Sequence, residues 1–132
     1  MTLFYSDLDP RTLRLRYANA AHNPPLLWRA ERRVIMRLDA AGLLIGLQPE
    51  AEFALGEIRL EPGDVLLYYT DGVTEAPGIT GDRFDEARLI RALETACRSV
   101  RERREFLKAC LNAWTVLLVR IVSWRTTRRL WC

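Results

Sequence analysis

Apolar and polar residues alternate with a period of two through much of the first half of the chain. Leu13, Leu15, Tyr17 and Asn19 interleave with Arg14, Arg16 and Ala18, the pattern of a strand with one buried face. Residues 1–8 are apolar and aromatic, and Asp9-Pro10-Arg11-Thr12 separates the two runs. An aspartate able to bond forward to backbone, followed by a proline that fixes φ, makes that segment a turn. A hairpin is expected. Asn23-Pro24-Pro25 interrupts the ladder, and 26–29 and 34–38 then flank the charged Ala30-Glu31-Arg32-Arg33, predicting a second hairpin. Residues 40–47 are apolar with Gly42 and Gly46, which predicts a buried turn where backbone approaches another element closely. Residues 52–60 alternate again, through Phe53, Leu55 and Ile58, with an irregularity expected at Gly56. Glu61-Pro62-Gly63-Asp64 is a turn signal. Val65-Leu66-Leu67-Tyr68-Tyr69-Thr70 is nearly continuous in apolar character, as a central strand covered on both faces requires.

The period then lengthens. Phe84, Leu89, Ile90, Leu93 and Cys97 fall at helical spacing, predicting a helix from Asp82 to about Val100. Asp82 is the expected N-cap, with Asp85 and Glu86 in the first turn, where the helix dipole favours anions. Residues 101–112 carry a weaker apolar stripe and are read as a second helix. Residues 114–122 are β-branched and strand-like, and 123–132 show no pattern. Many strands, then one or two helices, then a strand argue an α+β fold on antiparallel sheet.

Composition keeps this picture to one domain. The 132 residues are 49% hydrophobic, enough for a core of its own. No uninterrupted apolar run approaches the length of about 18 residues that a bilayer span needs, and residues 1–7 lack a basic, apolar leader. A cytoplasmic protein with no membrane partner is expected. Cys97, Cys110 and Cys132 fit no zinc spacing and the chain has one histidine, so a Cys/His metal cluster is excluded. Net charge is +3, but nine basic and two acidic residues crowd into 98–132. Basic tails can bind nucleic acid. Without interleaved aromatics this one is read as a solvated arginine-rich end, and no nucleic-acid partner is expected.

Asp71 ends the buried run and Gly72 follows it. A carboxylate fixed at a sheet rim suits a hard divalent cation. Asp-Gly after a strand is equally a favoured tight-turn pair, and residue chemistry alone leaves both readings open. Glu75 is either a second carboxylate beside Asp71 or a surface charge. His22 is either a loop residue that orders the Asn23-Pro24-Pro25 turn or a group near a reacting centre. No nucleophile–base pair can be placed around it, and no catalytic residue is assigned.

Leu60-Glu61-Pro62-Gly63-Asp64-Val65-Leu66-Leu67-Tyr68-Tyr69-Thr70-Asp71-Gly72-Val73-Thr74-Glu75-Ala76 resembles the L-x-x-G-D-x-L-L-x-Y-T-D-G-V-T-E-A block of PPM-type (type 2C) serine/threonine phosphatases of the stage II sporulation protein E family. Tyr17-Ala18-Asn19-Ala20-Ala21-His22-Asn23-Pro24-Pro25 resembles that family's Y-x-N-A-G-H-N-P-P block, with Ala21 in place of glycine. Residues 39–47 are similar to its glycine-rich connector. The resemblance implies an α-β-β-α sandwich, of which this chain would be a β-rich partial copy over 1–122, with 123–132 an irregular basic tail. It implies Mn²⁺ or Mg²⁺ dependence, Asp71 and Gly72 at the metal position, and His22, Asn23 and Glu75 in support. It also implies hydrolysis of phosphoserine or phosphothreonine on partners of the anti-sigma-factor antagonist type, by metal-activated water.

Two departures bear on activity. The family's D-x-x-G-H-G block, which lies before the region matched here, has no counterpart, so the N-terminal portion of the family domain is expected to be absent. The family's closing acidic pair, which supplies another ligand, is represented by Asn112-Ala113, a degenerate metal position. One carboxylate does not hold a pair of divalent ions tightly. Little activity is therefore expected from this chain alone. A non-catalytic binding module of a partner-switching pathway and a non-functional gene remnant are the alternatives.

Overall fold

The computed structural model describes residues 1–77 and 82–98, together with the backbone of 116–120. The expected second helix over 101–112, Asn112, Ala113 and the 123–132 tail lie outside the described residues.

The first hairpin joins β1 (Leu3–Asp9) to β2 (Arg14–Ala20), with Asp9 opposite Arg14 and Leu3 opposite Ala20. Asp9 builds its turn as its chemistry predicts, accepting from the Arg11 amide at 2.8 Å and the Thr12 hydroxyl at 2.7 Å. Those two bonds hold its carboxyl below the usual carboxylate range. The second hairpin pairs β3 (Leu26–Arg29) with β4 (Val34–Arg37). β5 (Leu55–Arg59) pairs with β2, and β6 (Val65–Tyr69) pairs with β3 on one side and β7 (Val116–Arg120) on the other. The result is a three-stranded sheet, β1-β2-β5, and a four-stranded sheet, β4-β3-β6-β7, antiparallel throughout.

Alternation along β3 and β6 divides the core in two. Leu27 and Leu66 point between the sheets, onto Leu15 of β2 together with Leu38 and Leu60. Leu26, Trp28, Val65, Leu67 and Tyr69 point the other way, onto Leu89, Leu93 and Cys97 of α2 (Glu86–Arg98). This is why β6 reads as continuously apolar: both of its faces are covered. Each fully buried leucine here contributes about 1.5–3 kcal/mol. Rings knit the two sheets: Phe4 stacks on Tyr17 at 5.7 Å and meets the edge of Tyr68 at 6.0 Å. The Tyr68 hydroxyl is 2.7 Å from Ser6 Oγ. The antiparallel α+β expectation therefore holds, as helix on sheet on sheet, while the far face of the three-stranded sheet exposes Leu3, Tyr5 and Leu55.

Several local expectations are corrected. Gly56 is not an irregularity, since it sits in register opposite Tyr17. A Cβ there would lie 2.3 Å from the Tyr17 ring, so glycine makes room for that ring. The strand begins at Leu55 rather than near Glu52. The 40–47 connector is not buried, because Leu43, Leu44 and Leu47 are exposed. The close backbone approach does occur, at Gly42, where a Cβ would lie 2.0 Å from the Asn19 carbonyl oxygen. The long helix is capped by Asp85 rather than Asp82: Asp85 Oδ1 accepts from the Arg88 amide at 2.8 Å. Asp82 instead approaches Arg88 at 3.7 Å from outside the helix. Asp71-Gly72 does not form a two-residue hairpin turn but opens α1 (Asp71–Thr74), a single helical turn with Thr70 in the cap position.

Candidate functional site

The central strand delivers the site. β6 is buried from Val65 to Leu67, and Tyr69 is 4% exposed. Two residues later the chain surfaces, and Asp71 and Gly72 are exposed. The Asp71 carboxylate accepts from the Gly72 amide at 2.9 Å. Its backbone oxygen accepts from the Glu75 amide at 2.8 Å and the Thr74 hydroxyl at 3.2 Å. The Val73 amide reaches back to Thr70 O at 3.0 Å. A buried strand thus ends in a tight turn that presents the Asp71 carboxylate to solvent, and Glu75, also exposed, closes that turn as its C-cap.

The loop after β2 flanks this end of the sheet. Asn19 is buried, and its side chain holds the loop by accepting from the His22 amide at 2.8 Å and donating to the His22 carbonyl at 2.9 Å. His22 Nδ1 lies 3.2 Å from Thr2 Oγ1. Asn23 and Pro24 then form one wall of a hollow of about 310 Å³, whose other walls include Arg37, Asp39, Tyr69, Thr74 and Glu86. His22 and Asn23 line a neighbouring hollow of about 170 Å³ beside Tyr68 and Tyr69. The structure therefore gathers Asp71, Gly72 and Glu75 in one turn and sets His22 and Asn23 on the adjacent loop.

One group in this region is invisible to the sequence patterns. Glu86 accepts from Tyr69 Oη at 2.8 Å and from Arg37 Nε and Nη2 at 3.0 and 2.8 Å. Burial, then the bond to Glu86 and its negative charge, push the Tyr69 phenol well above its ordinary range, with Arg37 opposing. Arg37 and Glu86 are 49 residues apart, so no local periodicity links them. The one sequence signal is an acidic residue in a helix's first turn, which the dipole alone would explain.

The donor set decides what this site can hold. Glu75 is paired with Arg83 at 3.4 Å. Among the described residues no three His, Cys, Asp or Glu side chains come together as a metal-binding group. Mg²⁺ and Mn²⁺ are held by several oxygens, usually from two or more carboxylates or from substrate phosphate. At this turn the described residues offer Asp71 and an Arg83-paired Glu75, which does not fit a tightly bound metal pair.

Comparison with known proteins places this arrangement. Residues 1–115 match the family described as Stage II sporulation protein E (SpoIIE). The chain is 35% identical over 92 residues to Protein IcfG of Synechocystis sp.. It is 30% identical over 104 residues to the phosphoserine phosphatase RsbU of Bacillus subtilis. Those matches take in 70% and 77% of this chain, but the chain spans 14% of IcfG and 30% of RsbU. Among solved structures, the phosphatase domain of the cell fate determinant SpoIIE from Bacillus subtilis, presoaked with Mn, superimposes with a TM-score of 0.61 at 20% identity. That match takes in 93% of this chain and 57% of the other, and the likeness is one of fold. Among the described residues no helix is long and apolar enough to cross a membrane.

Proposed function

The chain belongs to the stage II sporulation protein E family of PPM-type phosphatases, and from that premise we propose that it carries the metal-facing strand and turn of a phosphoprotein phosphatase domain. Its substrates are phosphoserine or phosphothreonine on cytoplasmic proteins of the anti-sigma-factor antagonist type. The observation that carries this reading is the placement of Asp71, exposed at the end of a strand buried on both faces. Such a carboxylate is held rigidly where a hard cation and a phosphate can reach it together. When bound, Mn²⁺ or Mg²⁺ supplies an activated water and neutralises charge on the phosphoryl group. Within this chain Asp71 would be the ligand, Gly72 lends its amide to that carboxylate, and Asn23, His22 and Glu75 would shape the rim. With no cluster of three such ligands among the described residues, the chain by itself has little phosphatase activity and draws further ligands from outside them.

Two measurements on the purified chain test this. Mn²⁺ added to isotope-labelled protein is expected to broaden amide resonances around Asp71, weakly and reversibly, and Asp71→Asn removes that broadening. Broadening centred elsewhere, or unchanged in the variant, sinks the assignment of Asp71. Phosphate release from a phosphoserine peptide with Mn²⁺ is expected to stay near background. Robust release that Asp71→Asn abolishes would instead show that the chain completes its own metal set. The incomplete ligand set among the described residues also favours a second reading, a non-catalytic module that keeps the phosphatase surface and binds its phosphoprotein partner. Metal-independent binding of such a partner, unaltered in Asp71→Asn, distinguishes it.

A further inference from the structure

Residues 70–77 lead away from the central strand and 82–85 lead into α2, and side chains close the two at their base. Tyr69 is the last residue of β6 and Glu86 the first of α2, and the 2.8 Å Oη–Oε1 bond joins them. Arg37, the last residue of β4, holds both oxygens of the same carboxylate. Further out the segment is tied across again. The Phe84 amide donates to Ala76 O at 2.9 Å, and Pro77 pairs with Arg83 as an isolated antiparallel bridge. Asp71 stands between the two ties. The bonds within its own turn are short-range: Val73 to Thr70, Glu75 to Asp71 and Ala76 to Val73.

We infer that Glu86 is a positioning residue for Asp71: together with Tyr69 and Arg37 it fastens the Asp71-bearing segment to the four-stranded sheet, so that a displacement of α2 is felt at Asp71. This rests on the reading of Asp71 as the metal-facing carboxylate. The two links are unequal. The Arg37–Glu86 pair is 55% and 33% exposed, and exposed pairs contribute little. The phenol–carboxylate bond is charge-assisted, and its donor is 4% exposed, so water competes poorly for it. Tyr69 is therefore the stronger half of the fastening, and Arg37 chiefly sets the plane of the carboxylate.

Amide hydrogen exchange on the full chain, without metal or substrate, tests this. Tyr69→Phe and Glu86→Ala are expected to speed exchange at Val73, Glu75 and Ala76 by about tenfold or more, the loss expected from one hydrogen bond to a charged group. The amides of Leu66, Leu67 and Leu93 keep their wild-type rates. Glu86→Gln keeps an acceptor for Tyr69 and recovers most of the protection. The inference is overturned if the turn amides are unaffected in both variants. It is equally overturned if β6 and α2 accelerate along with them, or if Glu86→Gln exchanges as fast as Glu86→Ala. Asp71→Asn removes none of the atoms of the fastening. Failure of Asp71 to bind Mn²⁺ while these exchange effects stand would therefore count against the phosphatase reading alone.

Discussion

Ala21 holds a φ of 53°, in the left-handed region where a Cβ crowds the following carbonyl. The strain follows from its neighbours. Asn19 takes both the amide and the carbonyl of His22 onto its side chain, and those two bonds leave the intervening residue no freedom to relax. The family block that this segment resembles has glycine at that position, the residue that reaches such a φ without cost. Ala21→Gly is expected to stabilise the chain by about 0.5–1 kcal/mol, the relieved strain being partly offset by a more flexible unfolded chain. A urea titration reads this directly, with the midpoint rising at constant slope. A fall in the midpoint would mean that the loop does not hold Ala21 in that conformation. Gly56 makes the opposite case, a glycine whose φ is ordinary and whose role is to give the Tyr17 ring room.

At the scale of elements, the turn between β5 and β6 is fixed by one buried ion. Asp64 is 0% exposed and accepts from Arg29 Nη1 at 2.8 Å, the Ala30 amide at 3.1 Å and the Glu61 amide at 2.9 Å. It thereby ties the turn to the end of β3 and sets the start of the strand that leads to Asp71. Asp64→Ala leaves two amides without their acceptor and Arg29 with the Arg59 carbonyl but no carboxylate, and is expected to cost about 3–5 kcal/mol, as loss of one partner of a buried pair does. Asp64→Asn keeps an acceptor and costs less. Thermal or urea melts that place both within about 1 kcal/mol of wild type would show that water satisfies these groups instead. The turn was legible in the sequence because Pro62, Gly63 and Asp64 are contiguous, and Gly63 takes the positive φ of 95° that such a turn requires. The hairpins and the covered central strand were legible for the same reason, as short-range alternation. What escaped were choices made by distant residues. Asp82 and Asp85 are equally good caps by type, and the bond of Phe84 to Ala76 helps place the helix start at Asp85. The connector is apolar in composition, yet it runs along the periphery, where Met1 and Ile45 exchange backbone bonds. At the candidate site, the strand end and turn that carry Asp71 were legible as a contiguous block. Glu86 and Arg37 were not, because only the folded sheet brings them together.

Across the whole molecule, both halves of the core contain a phenol that must remain protonated. Tyr68, between the sheets, is held above its ordinary range by burial, which the bond with Ser6 opposes only in part. Tyr17, stacked on Phe4, is raised by burial and by the charge of Asp39. Tyr69, under α2, is raised furthest. An unfolded chain ionises all three near the ordinary phenol value of about 10. The folded state binds more protons than the unfolded state above that value, so stability falls as pH rises. The contribution is fully present below about pH 10 and is lost on the way up toward the raised folded values. Urea midpoints measured at successive pH values are expected to stay level in the mildly alkaline range and then drop steeply. Phenolate absorbance from Tyr17, Tyr68 and Tyr69 is expected to appear together as the chain unfolds. The drop should coincide with that rise in absorbance, because one sheet cannot lose its phenols to water while the other stays packed against it through Phe4, Tyr17 and Tyr68. Tyr69→Phe removes the most strongly raised group and should flatten the alkaline fall, even as it loosens the Asp71 turn near neutrality. A single ordinary phenolate curve in a chain that remains folded would show that the two halves of the core are open to water.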